Sequence, residues 1–164
     1  KAHLRVTDDS EDELIAGLIT AAREVVEGRT WLALPIRTVE YTTDAFPSRG
    51  FIELPYPPLV SVESVTYVDA AGVEQTLGGS VYEMDAASRP GRVRLAYGQS
   101  WPAVRHGGSV VVRYVAGFAL GAEPGALVQA MLLLIGQLYE NRENGSIPAA
   151  VQSMCRLHAL PKVG

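Results

Sequence analysis

Cysteine is almost absent from this sequence: Cys155 is the only one in 164 residues. An intrachain disulfide is therefore excluded, and a reducing site of assembly fits such usage. Histidine is nearly as scarce, with His3, His106 and His158 alone. None of the three has a second histidine, a cysteine or a carboxylate at metal-ligand spacing. Neither His-Glu-x-x-His nor Cys-x-x-Cys occurs, so no metal centre is expected. Positive charge is not in excess. The formal net charge is -4, which offers no general attraction to nucleic-acid phosphates. Arg92 and Arg94 share one strand face, too little for a nucleic-acid footprint. Long apolar runs are missing as well. The longest, Ala126 to Tyr139, is interrupted by Gln129 and Gln137 and is too short to span a membrane. The stretch from Arg5 to Glu13 is polar and shows no secretory signal. Internal repeats and low-complexity segments are not found.

The motifs of catalysis are lacking too. There is no Gly-x-Ser-x-Gly elbow and no phosphate-binding loop. Gly78-Gly79 and Gly107-Gly108 follow strand-like segments but open no helix, so they read as turns. The acidic run Asp8, Asp9, Glu11, Asp12 and Glu13 lacks the glycine and distal ligand of a calcium loop. It reads as the charged start of a helix. Cys155 and His158 share a terminal helix with no orienting acid near them, and a structural role is expected for both. No catalytic residue, metal ligand or cofactor is assigned, and the chain is not expected to be an enzyme.

What is present is the material of a globular fold, with 48% hydrophobic and 20% charged residues. Leu14, Ile15, Leu18, Ile19, Ala22, Val25 and Val26 recur at steps of three and four, which predicts a helix over about residues 10–27. Ser10 and Glu13 have the spacing of a capping box, and Gly28 is the expected stop. From Ile36 to Ala116 the pattern turns to β-branched and aromatic residues punctuated by glycine and proline. Strands are expected at 37–43, 51–54, 60–68, 73–77, 81–85, 92–97 and 110–115. Asp69-Ala70-Ala71-Gly72 makes a hairpin turn, and Pro90-Gly91 makes another. An antiparallel meander or a small sandwich follows. Helical character returns after Pro124, which suits a first-turn position, and runs from Ala126 to Arg142, with Asn144-Gly145 as the stop. A short third helix is expected from Pro148 to about His158. The expected class is thus α+β. A helical framework of 1–34 and 119–164 carries an inserted antiparallel β-rich subdomain of 35–118.

The second helix is the informative one. Leu127, Val128, Ala130, Met131, Leu132, Leu133, Leu134, Ile135, Leu138 and Tyr139 cover most of its circumference. A helix apolar all round must be buried all round, and a small domain has little with which to cover a third side. Self-assembly is one way to cover it. The other is an inserted sheet that folds back over the helix.

Several segments, taken in order, resemble the head–tail connector (adaptor) proteins of tailed bacteriophages and gene-transfer agents. Asp12-Glu13-Leu14-Ile15 through Ala21-Ala22-Arg23-Glu24 to Glu27 is similar to their opening helix. Leu54-Pro55-Tyr56-Pro57-Pro58, Ser61 to Tyr67 and Asp69 to Gly72 are similar to their central strand block. Gly98-Gln99-Ser100-Trp101-Pro102, Val112 to Phe118 and Leu138 to Glu143 continue the likeness. The close, Ser153-Met154-Cys155-Arg156-Leu157-His158, departs from their leucine- and tyrosine-rich ending.

The resemblance implies a ring of subunits, twelvefold to match the portal, beneath the portal protein at one capsid vertex. Such a ring extends the DNA channel and docks a stopper or head-completion protein. DNA passes through it without specific binding. It implies assembly in the bacterial cytoplasm, a place in the virion neck, and no membrane. The candidate subunit or portal contacts are Leu127, Met131, Leu134, Ile135, Leu138, Tyr139 and Arg142 on the long helix. Trp101, Met154, Arg156, Leu157 and Leu160 complete the set. The competing reading is a small β-rich carbohydrate- or protein-binding module, presenting Tyr41, Tyr67, Tyr82, Tyr97 and Tyr114 on one face.

Overall fold

The structure is a computed structural model that describes residues 1–48, 50–141 and 146–160. After a single 3-10 turn at Ala2–Leu4, the helix α1 spans Asp12–Thr30. Seven strands follow: β1 Arg37–Thr43, β2 Phe51–Leu54, β3 Leu59–Val68, β4 Glu74–Thr76, β5 Tyr82–Asp85, β6 Gly91–Leu95 and β7 Val110–Ala116. Two helices close the described chain, α2 Gly125–Glu140 and α3 Ala149–Arg156. The fold is α+β, with helices framing antiparallel sheets. The expected helix end at Arg142 and the Asn144-Gly145 stop lie outside the described residues.

The strands form two sheets, ordered β1-β7-β3-β4 and β2-β6-β5, with every pairing antiparallel. β7 lies between β1 and β3, so the larger sheet is not a meander. Its alternation decides the core: Val110, Val112, Tyr114 and Ala116 point inward and are buried, and Arg113 points out. They meet Ile52 and Leu54 of β2, Val65 of β3 and Val93 of β6 in one apolar cluster. The sandwich is tight where the sheets touch. A Cβ on Gly91 would lie 2.5 Å from the Leu59 Cβ, so only glycine fits there. The Tyr114 hydroxyl donates to the Pro55 carbonyl at 2.6 Å, and burial pushes this phenol's pKa well above its usual value.

A second apolar cluster joins the three helices: Ala22 and Val26 of α1, Leu127, Ala130, Leu134 and Ile135 of α2, and Val151 and Cys155 of α3. The chain crosses between the two cores twice, and the crossings run side by side. Pro35 bridges Phe118 in parallel. Phe118 N donates to Leu34 O at 3.0 Å, Gly117 N to Pro58 O at 2.9 Å, and Ala33 N to Pro57 O at 3.1 Å.

The helix ends differ from expectation in physical detail. Ser10 makes no cap, because its hydroxyl and amide both donate to the Asp8 carboxylate. Glu11 stands at the N-cap position without a side-chain cap bond. Gly28 does not stop α1, which continues to Thr30. Trp31 ends it in the left-handed conformation, φ 60°, with its N–H donating to Glu27 O at 2.8 Å. The stacking of Trp31 on Tyr56, ring centroids 6.0 Å apart, offsets the conformational cost. Pro124 is the N-cap of α2 rather than a residue of its first turn.

Candidate functional site

α1 and α2 pack antiparallel, since the Tyr139 hydroxyl near the end of α2 donates to the Glu11 carboxylate at the start of α1. α3 closes over this pair with Val151 and Cys155, one helical turn apart. The tail is pinned by Leu160 N donating to Thr30 O at 3.1 Å.

α2 is not buried all round. Leu127, Ala130, Leu134 and Ile135 make its inner face. Elsewhere on the helix Val128 is 38% and Leu133 40% exposed and Leu132 is half-buried, while a Cβ on Gly136 would lie 3.5 Å from His3 Nε2 of the N-terminal turn. Three of the expected contact residues, Leu127, Leu134 and Ile135, are buried in the subunit's own helical core. Met131, Leu138, Tyr139 and Met154 are half-buried, and Arg156 and Leu157 are exposed beside α3. Leu160 packs against the helical core. Arg142 lies outside the described residues. Trp101 is in the sandwich, stacked on Phe46 with centroids 4.7 Å apart and planes 5° apart, far along the chain from the helical face.

Charge on α2 is confined to its last residue, the exposed Glu140. Between Gly125 and Tyr139 there is no Asp, Glu, Lys or Arg. α1 repeats the feature: no charge occurs between Leu14 and Ala22, although Leu14, Gly17 and Ala21 on its outer side are exposed. The missing charge along α1 was the sequence signal that could have drawn attention to this second face.

Two ion-pair groups position the elements. Glu27, buried at the end of α1, accepts from Leu34 N at 2.7 Å and from Arg37 Nη1 at 2.8 Å. The Arg37 guanidinium also lies 5.8 Å from the Tyr56 ring centroid. This cluster ties the helical core to β1. On the outer face of the larger sheet Arg113 bridges Glu63 at 2.8 Å and Glu40 at 3.0 Å, and both carboxylates raise its pKa. Such exposed pairs contribute little to stability.

A cleft of about 250 Å³ opens where the two cores meet, walled by Leu32, Pro57, Pro58, Phe118 and Leu157, with Arg89 and His158 at its polar edge. It pairs no acid with a base. Burial of Cys155 in the helical core pushes its thiol pKa up, the opposite of nucleophile activation. Among the described residues no group of three His, Cys, Asp or Glu could hold a metal ion. No described helix is long and apolar enough to cross a membrane. The tyrosines do not form one exposed face. Tyr114 is buried, Tyr41, Tyr67 and Tyr82 pack against the sandwich core, and Tyr97 alone stands fully in solvent.

Three solved structures from gene transfer agent particles share this architecture. The chain matches one from the neck of an empty gene transfer agent (GTA) particle computed with C6 symmetry. Identity is 30% and the TM-score 0.81, over 99% of this chain and 87% of that one. It matches another from the virion of a native GTA particle at 29% identity and TM-score 0.81, over 98% and 87%. A third, from the neck of a native GTA particle computed with C12 symmetry, matches at 30% identity and TM-score 0.76, over 92% and 84%. No curated protein sequence matches. The class these likenesses define is the structural protein of a phage-like particle. The sequence profile described as "Phage gp6-like head-tail connector protein" matches residues 1–66, and the chain belongs to this head–tail connector family of phages and gene transfer agents.

Proposed function

We propose that the protein is a connector (adaptor) subunit that forms a ring below the portal in the neck of a phage or gene-transfer-agent particle. The observation that carries this reading is the match over nearly the whole chain to neck components solved with rotational symmetry. The exposed aliphatic side chains Val128 and Leu133 of α2 support it, because a neighbouring subunit stabilises such residues by covering them. The role is geometric and non-catalytic. The ring extends the DNA channel, and the net charge of -4 on each subunit lets DNA slide, because each neutralised phosphate would add affinity. Residues 1–34 and 119–164 form the ring body, and 35–118 form an appended sandwich. The portal lies on one side, with Met154, Arg156 and Leu157 as candidate contacts, and the stopper or head-completion protein docks on the other. Twelve copies match the portal, assembled in the bacterial cytoplasm.

The test is imaging of particle necks produced with and without the chain. A ring of density between portal and stopper, present only with the chain and fitted by this fold, is the expected result. Necks that are identical in its absence, or a chain that stays monomeric and never binds portal, would end the reading.

A further inference from the structure

We propose that the cleft between the two cores is a socket for a partner protein, taking an extended segment in which one aliphatic side chain stands beside an Asp or Glu. Placing that partner in the neck of the particle rests on the reading above; the chemistry of the socket does not.

The walls decide the first half of this specificity. Leu32, Phe118 and Leu160 are apolar, and Pro57, Pro58 and Pro124 have no N–H to offer. The Pro57 and Pro58 carbonyls already accept from Ala33 N and Gly117 N. The interior therefore favours an apolar group over a polar one. At about 250 Å³ the cleft is smaller than the roughly 300–1,000 Å³ of cofactor and small-molecule sites, which suits one or two side chains. Leu157 forms an outer wall and is 78% exposed. An aliphatic side chain seated against it would remove that surface from water.

Charge decides the second half. Two side chains of the lining carry polar hydrogens, Arg89 and His158, and the lining holds no acid. Arg89 comes from the turn between β5 and β6, and His158 follows the end of α3. Neither side chain has a hydrogen bond or ion pair among the described residues. The acids nearest to the lining in sequence are engaged elsewhere. Asp85 accepts from Ala87 N, Ser88 N and Ser88 Oγ, and Glu123 accepts from Gly121 N. A carboxylate is thus the group that this edge lacks, since it only accepts and a guanidinium only donates. Nucleic acid fits less well. The lining has one aromatic ring, Phe118, and few cations, whereas a bound strand needs stacking platforms and several neutralised phosphates. The socket is also preformed. The two crossings hold Pro57 and Pro58, and Leu160 N donates to Thr30 O, so seating a segment orders little of the subunit.

The first experiment titrates the full chain, labelled with nitrogen-15, with the capped peptide acetyl-Gly-Leu-Asp-Gly-amide. Shifts confined to the signals of Leu32, Phe118, Leu157, His158 and the Arg89 side chain are expected. Replacing Asp by Asn in the peptide should weaken binding about fivefold, the scale of one exposed ion pair. Arg89→Gln should remove that difference while leaving the unfolding midpoint unchanged, because Arg89 is exposed. No binding, shifts elsewhere, or equal binding of the Asp and Asn peptides overturns the socket. Stronger binding of an oligothymidylate at the same signals overturns the choice of a protein partner. The second experiment puts benzoylphenylalanine in place of Leu157 in assembled particles and sequences the photo-crosslinked peptide. A partner segment with an aliphatic residue beside Asp or Glu is expected. A crosslink to residues 161–164 of the chain itself, to a segment without an acid, or none at all in necks that contain the chain overturns the proposal. Necks that lack the chain would end the ring reading, and the titration would still decide the socket.

Discussion

The junction between the two cores depends on Gly117, and Gly117→Ala tests that dependence. The residue has φ 122°, and a Cβ there would lie 2.2 Å from Pro35 O, 2.5 Å from Pro35 C and 2.7 Å from Ile36 N. All three neighbours are backbone, so no side chain can swing aside. Ordinary contact begins near 3.4 Å, and the two crossings must part by about 1 Å. A side chain held at this φ costs ~1–3 kcal/mol. Parting the crossings also weakens the Gly117 N to Pro58 O and Phe118 N to Leu34 O hydrogen bonds, each worth ~0.5–1.5 kcal/mol. The expected loss is ~2–6 kcal/mol, a large share of the ~5–15 kcal/mol of a typical domain. Urea unfolding followed by tryptophan fluorescence measures it, with Trp31 at the junction and Trp101 in the sandwich as reporters. Gly98→Ala is the control. Its φ is 74° and nothing lies within 4 Å, so only the ~1–2 kcal/mol of left-handed strain applies. If Gly117→Ala costs no more than Gly98→Ala, the close crossing is not what the glycine is for.

Two other perturbations probe the polar framework. Glu27→Ala removes the acceptor of Leu34 N and Arg37 and is expected to cost ~2–3 kcal/mol, after discounting the partly exposed Arg37. Glu27→Gln, which can still accept from Leu34 N, should lose about half as much in the same unfolding assay; equal losses would show that the bond to Leu34 N contributes nothing once the charge is gone. Hydrogen bonds from Val73 N, the Gln75 amide and Ala71 N hold the Asp69 carboxyl below its ordinary value near 3.8. Its contribution to the β3–β4 turn is therefore complete above that ordinary value and fades as pH falls through the lower folded one. Carbon-13 NMR titration should place the Asp69 midpoint below 3.8, and a midpoint at or above it refutes the turn's role.

The strands were the most legible part of the chain. β1 and β2 begin and end where alternation and flanking Gly and Pro put them, because a half-buried strand writes its period into the sequence. Strand order was less accessible. Only long-range pairing puts β7 between β1 and β3, and local pattern does not carry that. The end of α1 was misplaced because Gly28 is a good stop locally, whereas Trp31 becomes one only with Tyr56 stacked on it. The buried Glu27 was invisible for the same reason, since its partners lie beyond the helix. The face of α2 shows the limit most clearly. Composition gave an apolar circumference, but whether Leu127 or Leu133 faces solvent depends on where α1 and α3 sit. Cys155 was legible as structural, because no acid stands near enough in the sequence to activate it.

The neighbouring crossings at Pro35 and Phe118 have a consequence for how such a chain can change over time. A unit whose entrance and exit touch can be lengthened, trimmed or exchanged while the host sees the same two closely spaced ends. The helical ring body can thus keep its symmetry while the appendage diversifies, provided that each replacement preserves a glycine where the second crossing leaves the sheet.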